Sequence, residues 1–450
     1  MNLLRPLRER DFALLWTGMT VSLLGDGIYT VAVAWQVYEL SNRPTALALV
    51  GLAWTAGLVG FILLAGVLSD RLDRRRVMIG ADLLRAAVQL GIGVLAVSGT
   101  LEIWMLVLLV LLHGVGEAFF APAFSALVPD ILAPAQIPQA SAIEQIVRQA
   151  ARNFAGPAIG GVMVALVGPG TSFIIDAATF VFSAACVAAI RARPAAIRER
   201  AAGVVSELRE GMAYVRTQTW LWGTLIAASL AILFFMGPIQ VLVPYVVKNR
   251  LHAGSGSYGT VLALEGAGAI AMALWVGARG LPRREVSWML MVWAFGGVPF
   301  LGFALGQEVW VLAVCAAAWG ASLAFGMIVW TTRMATRVPV ELRGRVNSVD
   351  WFVSIGLAPA SFALTGPVSS WIGVRDTLLI AAVVPAVSTF ALLFLTGMRA
   401  EETRELQAGS QPLAVDVDPV PQLEGEQHPE RAVPDASAAD VVVHKAGDRG

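Results

Sequence analysis

Gly66-Val67-Leu68-Ser69-Asp70-Arg71-Leu72-Asp73-Arg74-Arg75-Arg76 is the stretch on which the fold turns. An apolar run lies on each side of it, Thr45–Leu68 before and Val77–Val97 after. Each is long enough for a membrane-spanning helix, which needs about 20 mostly apolar residues. Arg71, Arg74, Arg75 and Arg76 crowd the turn between them. Arginine in a short loop between two spans resists translocation and holds that loop on the cytoplasmic side. The stretch therefore reads as an inside turn of a helical hairpin.

Outward from this hairpin, the same pattern repeats. Apolar runs at Phe12–Tyr38, Ile103–Ser125, Ile143–Val167 and Ser172–Ile190 complete a first set of six with the two already named. A second six follows at Trp220–Val247, Tyr258–Ala278, Ser287–Leu305, Val309–Thr332, Val346–Trp371 and Thr377–Thr396. The chain of 450 residues is 57% hydrophobic and 14% charged, with mean hydropathy +0.70. Soluble domains carry about 25% charge, so this chain lacks the side chains to coat a water-facing surface. Its formal net charge of zero gives no reason to expect nucleic acid. The first apolar run is too long for a signal peptide and reads as a retained helix. Cys186 and Cys315 lie inside apolar runs and read as small buried hydrophobes, with no disulfide framework or metal site.

Arginine alternates loop by loop. One set of ends holds Arg5, Arg8 and Arg10, the Arg71–Arg76 turn, the stretch from Arg191 to Arg216, Arg279 to Arg284, Arg333 to Arg345, and Arg399 and Arg404. The opposite ends hold Arg43, Lys248, Arg250 and Arg375. Both termini and the central linker are thereby predicted cytoplasmic, in a multi-pass inner-membrane protein. The two sets of six also echo each other. Leu15-Trp16 recurs as Leu221-Trp222, and Gly156-Pro157-Ala158 as Ala358-Pro359-Ala360. This suits two parallel repeats related by an axis along the membrane normal. The predicted organisation is a six-helix bundle over 1–190, a polar linker over 191–219, a second bundle over 220–397, and a tail over 398–450. That tail is rich in Glu, Asp, Pro, Ala and Gln and reads as disordered and cytoplasmic.

The quoted loop resembles the loop 2–3 signature of the major facilitator superfamily, G-x-x-x-D-[RK]-x-G-[RK]-[RK]. Gly66, Asp70, Arg71, Arg74 and Arg75 match, and Asp73 stands where that family usually has glycine. The resemblance implies that this loop latches the two halves and governs switching between states. Gly66 itself would let its helix approach a neighbour closely. Gly156-Pro157-Ala158-Ile159-Gly160-Gly161 resembles the end of the family's antiporter motif, G-P-x-x-G-G, a feature of exporters. Ser22 to Gly27, Pro122, Ala126 to Asp130, Asp176 to Phe180 and Arg343 to Val346 extend the likeness to the macrolide-efflux and enterobactin-exporter branch of drug:proton antiporters. The fold so implied is all-α, with twelve transmembrane helices in two six-helix pseudo-repeat bundles.

Ionisable residues inside spans are costly and mark functional positions. Asp26, Glu117 and Glu265 are the candidates for proton coupling, with Asp26 and Glu117 ahead of Glu265. His113 lies one turn from Glu117 and shares its face. Asp82 and Arg85 are three apart and read as an ion pair joining the loop 2–3 network. Glu144, Arg148 and Arg152 are spaced by four, which stacks them on one face; Arg148 and Arg152 are placed to bind an anionic substrate or to brace the cytoplasmic gate, the brace being the expectation, and Asp350 has a similar bracing option. Asp176 reads as a structural anchor. The substrate-cavity candidates are Trp35, Gln36, Trp54, Phe119, Phe120, Phe234, Phe235, Gln240 and Trp330, since drug-sized ligands prefer apolar walls with a few polar groups.

The sequence holds no phosphate-binding loop, no H-E-x-x-H and no nucleophile elbow. No enzyme activity and no cofactor are expected. The expected function is proton-coupled export of amphipathic small molecules (drugs, macrolide-like compounds, siderophores or secondary metabolites) by a monomer in lipid, with protons as the second partner. An uncoupled facilitator or importer on the same scaffold, or a non-transporting receptor, is the alternative.

Overall fold

In a computed structural model the described residues are 5–191, 204–399 and 402, without the side chains of 63, 67, 69–71, 204–208 and 355. All regular structure among them is helical. The first half comprises α1 (Arg10–Leu40), α2 (Pro44–Arg71), α3 (Arg74–Val97), α4 (Ile103–Ile131), α5 (Ile137–Val147), a π-helical stretch Arg148–Ala155, and α6 (Gly156–Ala188). After α7 (Val204–Thr217) come α8 (Thr219–Tyr245), α9 (Ser255–Arg279), α10 (Glu285–Phe295), α11 (Val298–Leu305), α12 (Val309–Arg337), α13 (Arg343–Gly356), α14 (Ala358–Ile372) and α15 (Val374–Ala391).

Ten segments among the described residues are long and apolar enough to cross a membrane. One of them, Pro134–Ala188, is 55 residues long and holds two crossings. They part at Gly168, whose φ of 79° breaks α6 just before Pro169. The remaining crossing is α1, whose 31 residues are long enough but are diluted by Asp26, glycines and hydroxyls. This is an all-α membrane protein with twelve crossings in two six-helix halves. Helices suit the bilayer because each satisfies its backbone polar groups internally. Large apolar side chains such as Leu166, Leu274 and Val387 stand exposed on the outside, as a lipid-facing wall requires. Trp104 and Trp310 are exposed at the start of α4 and α12, where amphipathic rings suit the interface.

The two halves repeat one register. Leu221-Trp222 follows Leu15-Trp16 by 206 positions, and Val309 at the head of α12 follows Ile103 at the head of α4 by the same 206. Backbone irregularity repeats as well. Gly156-Pro157 begins α6 directly after the π-helical stretch, and Ala358-Pro359 begins α14 directly after the break at Leu357. Proline lacks the N–H that a continuous helix would use there.

The linker, read from sequence as merely polar, contains α7. Val215 is buried, Gly211 lies against the Arg345 carbonyl, and Glu210 pairs with Arg345. An amphipathic helix thus lies against α13. Residues 192–203 of the proposed linker, and nearly all of the tail over 398–450, lie outside the described residues.

The halves meet tightly at the arginine-poor end. Tyr38 donates its hydroxyl to the Val241 carbonyl at 2.6 Å, Lys248 donates to the Tyr38 carbonyl at 2.6 Å, and Asn42 donates to Asn249 at 2.6 Å. Phe362 of α14 packs on Gly51 of α2, and Gly161 of α6 on Gly259 of α9. At the arginine-rich end, the pairs Arg74–Asp130 and Arg333–Glu285 each join residues of one half, and Arg345–Glu210 ties the linker helix α7 to α13.

Candidate functional site

A cavity of about 280 Å³ lies between the halves. From the first half it takes Asp26 and Tyr29 of α1, Trp54 of α2, His113 and Glu117 of α4, and Arg152 of the π-helical stretch. From the second half it takes Gln240, Glu265, Phe303 and Phe362. Glu117 is its best-held side chain. Trp54 donates Nε1–H to Glu117 Oε2 at 2.8 Å, and Arg152 donates to Glu117 Oε1 at 3.3 Å. Asp26 is buried on the same wall, in the field of Arg152, Arg85, Glu117 and Arg148.

The π-helical backbone explains why Arg152 is here. Spacing alone stacks Glu144, Arg148 and Arg152, but the wider turn re-phases the helix. Arg148 stays on the Glu144 face and pairs with it at 2.9 Å, while Arg152 turns to α4 and Glu117. π-bulges recur at functional positions. The expected gate brace at Arg152 is therefore a central-cavity cation instead.

The glycines of the antiporter-like motif set two contacts at once. A Cβ on Gly156 would lie 2.7 Å from Gly27 Cα, and one on Gly160 2.8 Å from Ile28 Cα, so α6 rides close on α1. On the other face, a Cβ on Gly161 would lie 2.9 Å from Gly259 Cα, and the Pro157 carbonyl also abuts Gly259. The helix bearing Arg152 thus also touches the second half.

The other candidates divide. Asp82 and Arg85 do pair, but deep in the first half, with the guanidinium between the rings of Phe120 at 4.6 Å and Phe180 at 4.3 Å. Phe120 is consequently a stacking partner of Arg85 and does not line the central cavity. His113 stacks on Tyr29 at 4.9 Å and meets Gln89 at 3.4 Å through Nδ1, so it belongs to the polar wall beside Glu117. Asp176 accepts from the Thr179 hydroxyl at 3.1 Å and sits against Gly25, where any side chain would collide with it. Trp35 lies under Lys248 at 5.5 Å near the closed end. Trp35, Gln36 and Phe234 are absent from the cavity lining, whereas Gln240, Trp54 and Glu265 are in it.

In the loop 2–3 motif, Asp70 and Arg71 have side chains outside those described. Arg74 reaches Asp130 and the Ala126 carbonyl, tying α3 to α4. Arg75 donates to the Val187 and Ala188 carbonyls, where a cation suits the C-terminal end of a helix. Asp73, out of place in the motif, accepts from Arg75 N at 3.0 Å and caps α3. The close approach expected at Gly66 is not found among the described residues: a Cβ there would meet none of them within 4 Å.

Twelve crossings in two repeats around a shared cavity define a membrane transporter of the major facilitator type. The chain belongs to the transmembrane secretion effector family of that superfamily, whose family model matches residues 1–420. It is 24% identical over 380 residues to macrolide efflux protein A of Streptococcus pyogenes, covering 82% of this chain and 92% of that protein. It is 29% identical over 401 residues to the multidrug efflux pump Tap of Mycobacterium tuberculosis (strain CDC 1551 / Oshkosh), covering 86% and 92%. Among solved structures, a bacterial homologue of the iron transporter ferroportin in an inward-facing state superposes with a TM-score of 0.66 at 14% identity, covering 86% of this chain and 98% of that one. That likeness concerns the fold. The protein is accordingly a multi-pass membrane transporter, and not an enzyme.

Proposed function

We propose that this protein exports amphipathic small molecules across the bacterial inner membrane in exchange for protons. The observation that carries the proposal is Glu117, held by Arg152 at 3.3 Å and Trp54 at 2.8 Å in a cavity shared by both halves, with Asp26 beside it. One guanidinium, of Arg152, faces three carboxylates there, Asp26, Glu117 and Glu265, while Arg85 is committed to Asp82. The cavity carries carboxylates in surplus over its arginine, and a surplus carboxylate in a partly dry cavity is a natural proton carrier.

Protonating Asp26 or Glu117 weakens the hold of the first-half wall on Arg152. Arg152 sits on the helix whose Pro157 and Gly161 pack against α9, so the change is delivered at the contact between halves. To drive transport, the proton must bind with different free energy in the two states. The seal through Tyr38, Asn42 and Lys248 supports a state closed at the arginine-poor end. With the arginine-rich ends in the cytoplasm, that state opens inward. Arg74 and Arg75 brace the first half around the loop 2–3 turn, and the reading places both termini inside the cell.

The substrates are amphipathic because the cavity sets Tyr29, Trp54, Phe303 and Phe362 around a few charges. The export direction draws on the relatives named for efflux. The test is accumulation of a panel of macrolides and fluorescent lipophilic compounds in cells with and without the protein, with and without a protonophore. Lower accumulation that the protonophore abolishes is expected, and Asp26→Asn should abolish it with membrane insertion intact. Export unchanged by the protonophore would establish the uncoupled facilitator instead.

A further inference from the structure

The second half contains a cavity of its own, of about 430 Å³, lined by α8, α10, α11, α12, α13 and α15. It occupies the repeat position of the charged wall described above. At the separation of 206 positions, Asp26 corresponds to Ile232, Tyr29 to Phe235, His113 to Trp319 and Glu117 to Leu323. All four second-half residues line this cavity. The repeat has exchanged a polar wall for an apolar and aromatic one, and one ionisable side chain remains in the lining, Asp350.

Asp350 accepts from Trp330 Nε1 at 3.2 Å and from the Ser354 hydroxyl at 3.4 Å. Both donors are neutral, and among the described residues no cation reaches Asp350 within ion-pair distance. Arg333, a turn beyond Trp330 on α12, is engaged by Glu285 at 3.5 Å and lies over the Trp220 ring at 5.0 Å. Glu117 has a resident arginine and Asp350 has none. Phe300 lines this cavity and Phe303 the central one, and their edge-to-face contact at 5.6 Å lies between the two spaces.

We infer that this second-half cavity is a separate binding site for lipophilic aromatic monocations, which pair with Asp350 and pack among Trp293, Trp319 and Trp330. The volume lies within the range of small-molecule sites, about 300–1,000 Å³. Aromatic faces attract a cation, most strongly where water is excluded. A carboxylate among apolar walls with two neutral donors lacks the counter-charge that buried carboxylates are normally given, and a monocation supplies it. The site does not depend on the direction or the energy source of transport.

The experiment is equilibrium dialysis of tetraphenylphosphonium against the full-length protein in nanodiscs of zwitterionic lipid, with tryptophan fluorescence read in parallel. A saturable site is expected that quenches tryptophan, ignores the neutral analogue triphenylphosphine oxide, and persists in the Asp26→Asn/Glu117→Gln double variant. Asp350→Asn should weaken it by at least about tenfold, as losing one partner of a desolvated charge pair does, and Asp350→Glu should restore it. Should Asp350→Asn fail to fold, Ala231→Trp fills the cavity while keeping the carboxylate, and should abolish binding. Binding that follows Asp26 and Glu117 rather than Asp350, equal binding of the neutral analogue, or no saturable site in the wild type would each overturn the inference. Failure of proton-coupled export would leave it untouched.

Discussion

The two halves of this transporter share a register and differ in what they place at equivalent positions. In the first half, Asp26, His113 and Glu117 face the shared cavity with Arg152. In the second, Ile232, Trp319 and Leu323 enclose an apolar space with Asp350 alone. Helix count and the proline starts at Pro157 of α6 and Pro359 of α14 are common to both. A duplicated scaffold can assign charge movement to one repeat and apolar recognition to the other. The proposed division is of that kind: the proton is handled where the cation is built in, and the ligand's own charge is met where it is not.

The sharpest way to break the comparison is to exchange the equivalent residues. Glu117→Leu gives the first half the residue its partner carries and leaves Arg152 without its carboxylate. Transport should be lost, with a stability penalty on the order of 3 kcal/mol for breaking the pair, seen as a lower Tm of the purified protein. Leu323→Glu, the reverse exchange, places a second carboxylate beside apolar walls. It should cost a similar amount, about 3 kcal/mol, without creating proton coupling. A Leu323→Glu protein as stable as the wild type would show that the halves are not specialised.

A second variant tests the contact through which the first half would act on the other. Gly161→Leu forces side-chain atoms into α9, since even a Cβ would lie 2.9 Å from Gly259 Cα. Overpacking of this kind costs about 1–3 kcal/mol. It should fall on the state closed at the arginine-poor end, so double electron–electron resonance distances across the α6–α9 seam should lengthen. Smaller again is Trp54→Phe, which removes one hydrogen bond to Glu117. A bond to a charged group contributes about 1.5–3 kcal/mol, so proton-linked transport should fall roughly tenfold or more. The smallest effect is expected for Tyr38→Phe, which deletes the donor to the Val241 carbonyl. At about 1 kcal/mol, it should shift the equilibrium away from closure by about fivefold, measurable in the same resonance experiment.

Much of the fold was legible because hydropathy and arginine placement are additive along the chain. The twelve runs, the Arg71–Arg76 turn and the Gly-Pro-Ala echo needed no tertiary knowledge. The site was legible only in its parts. Asp26, Glu117, Glu265, Trp54 and Gln240 were recognisable as unusual within spans, but the pairing of Glu117 with Arg152 and Trp54 joins residues 35 and 63 positions apart. No local pattern encodes that distance. Arg152 was misplaced for a specific reason: a spacing of four implies one face only when the backbone is α-helical, and here it is π-helical. Phe120 misled because a ring in a span can as well hold a buried guanidinium as face a ligand. Gly66 misled because a small residue permits a close approach without compelling one. The second-half cavity left no motif at all, since its lining is ordinary apolar sequence and only the repeat register sets Leu323 opposite Glu117.

The most direct test of the proposed division is the pH change that accompanies substrate movement in proteoliposomes bearing an entrapped pH dye, for wild type, Glu117→Gln and Asp350→Asn. Wild type and Asp350→Asn should both move protons with substrate, the latter with weaker dependence on lipophilic cations, and Glu117→Gln should move none. Proton movement that survives in Glu117→Gln but vanishes in Asp350→Asn would place the coupling in the wrong half and contradict it.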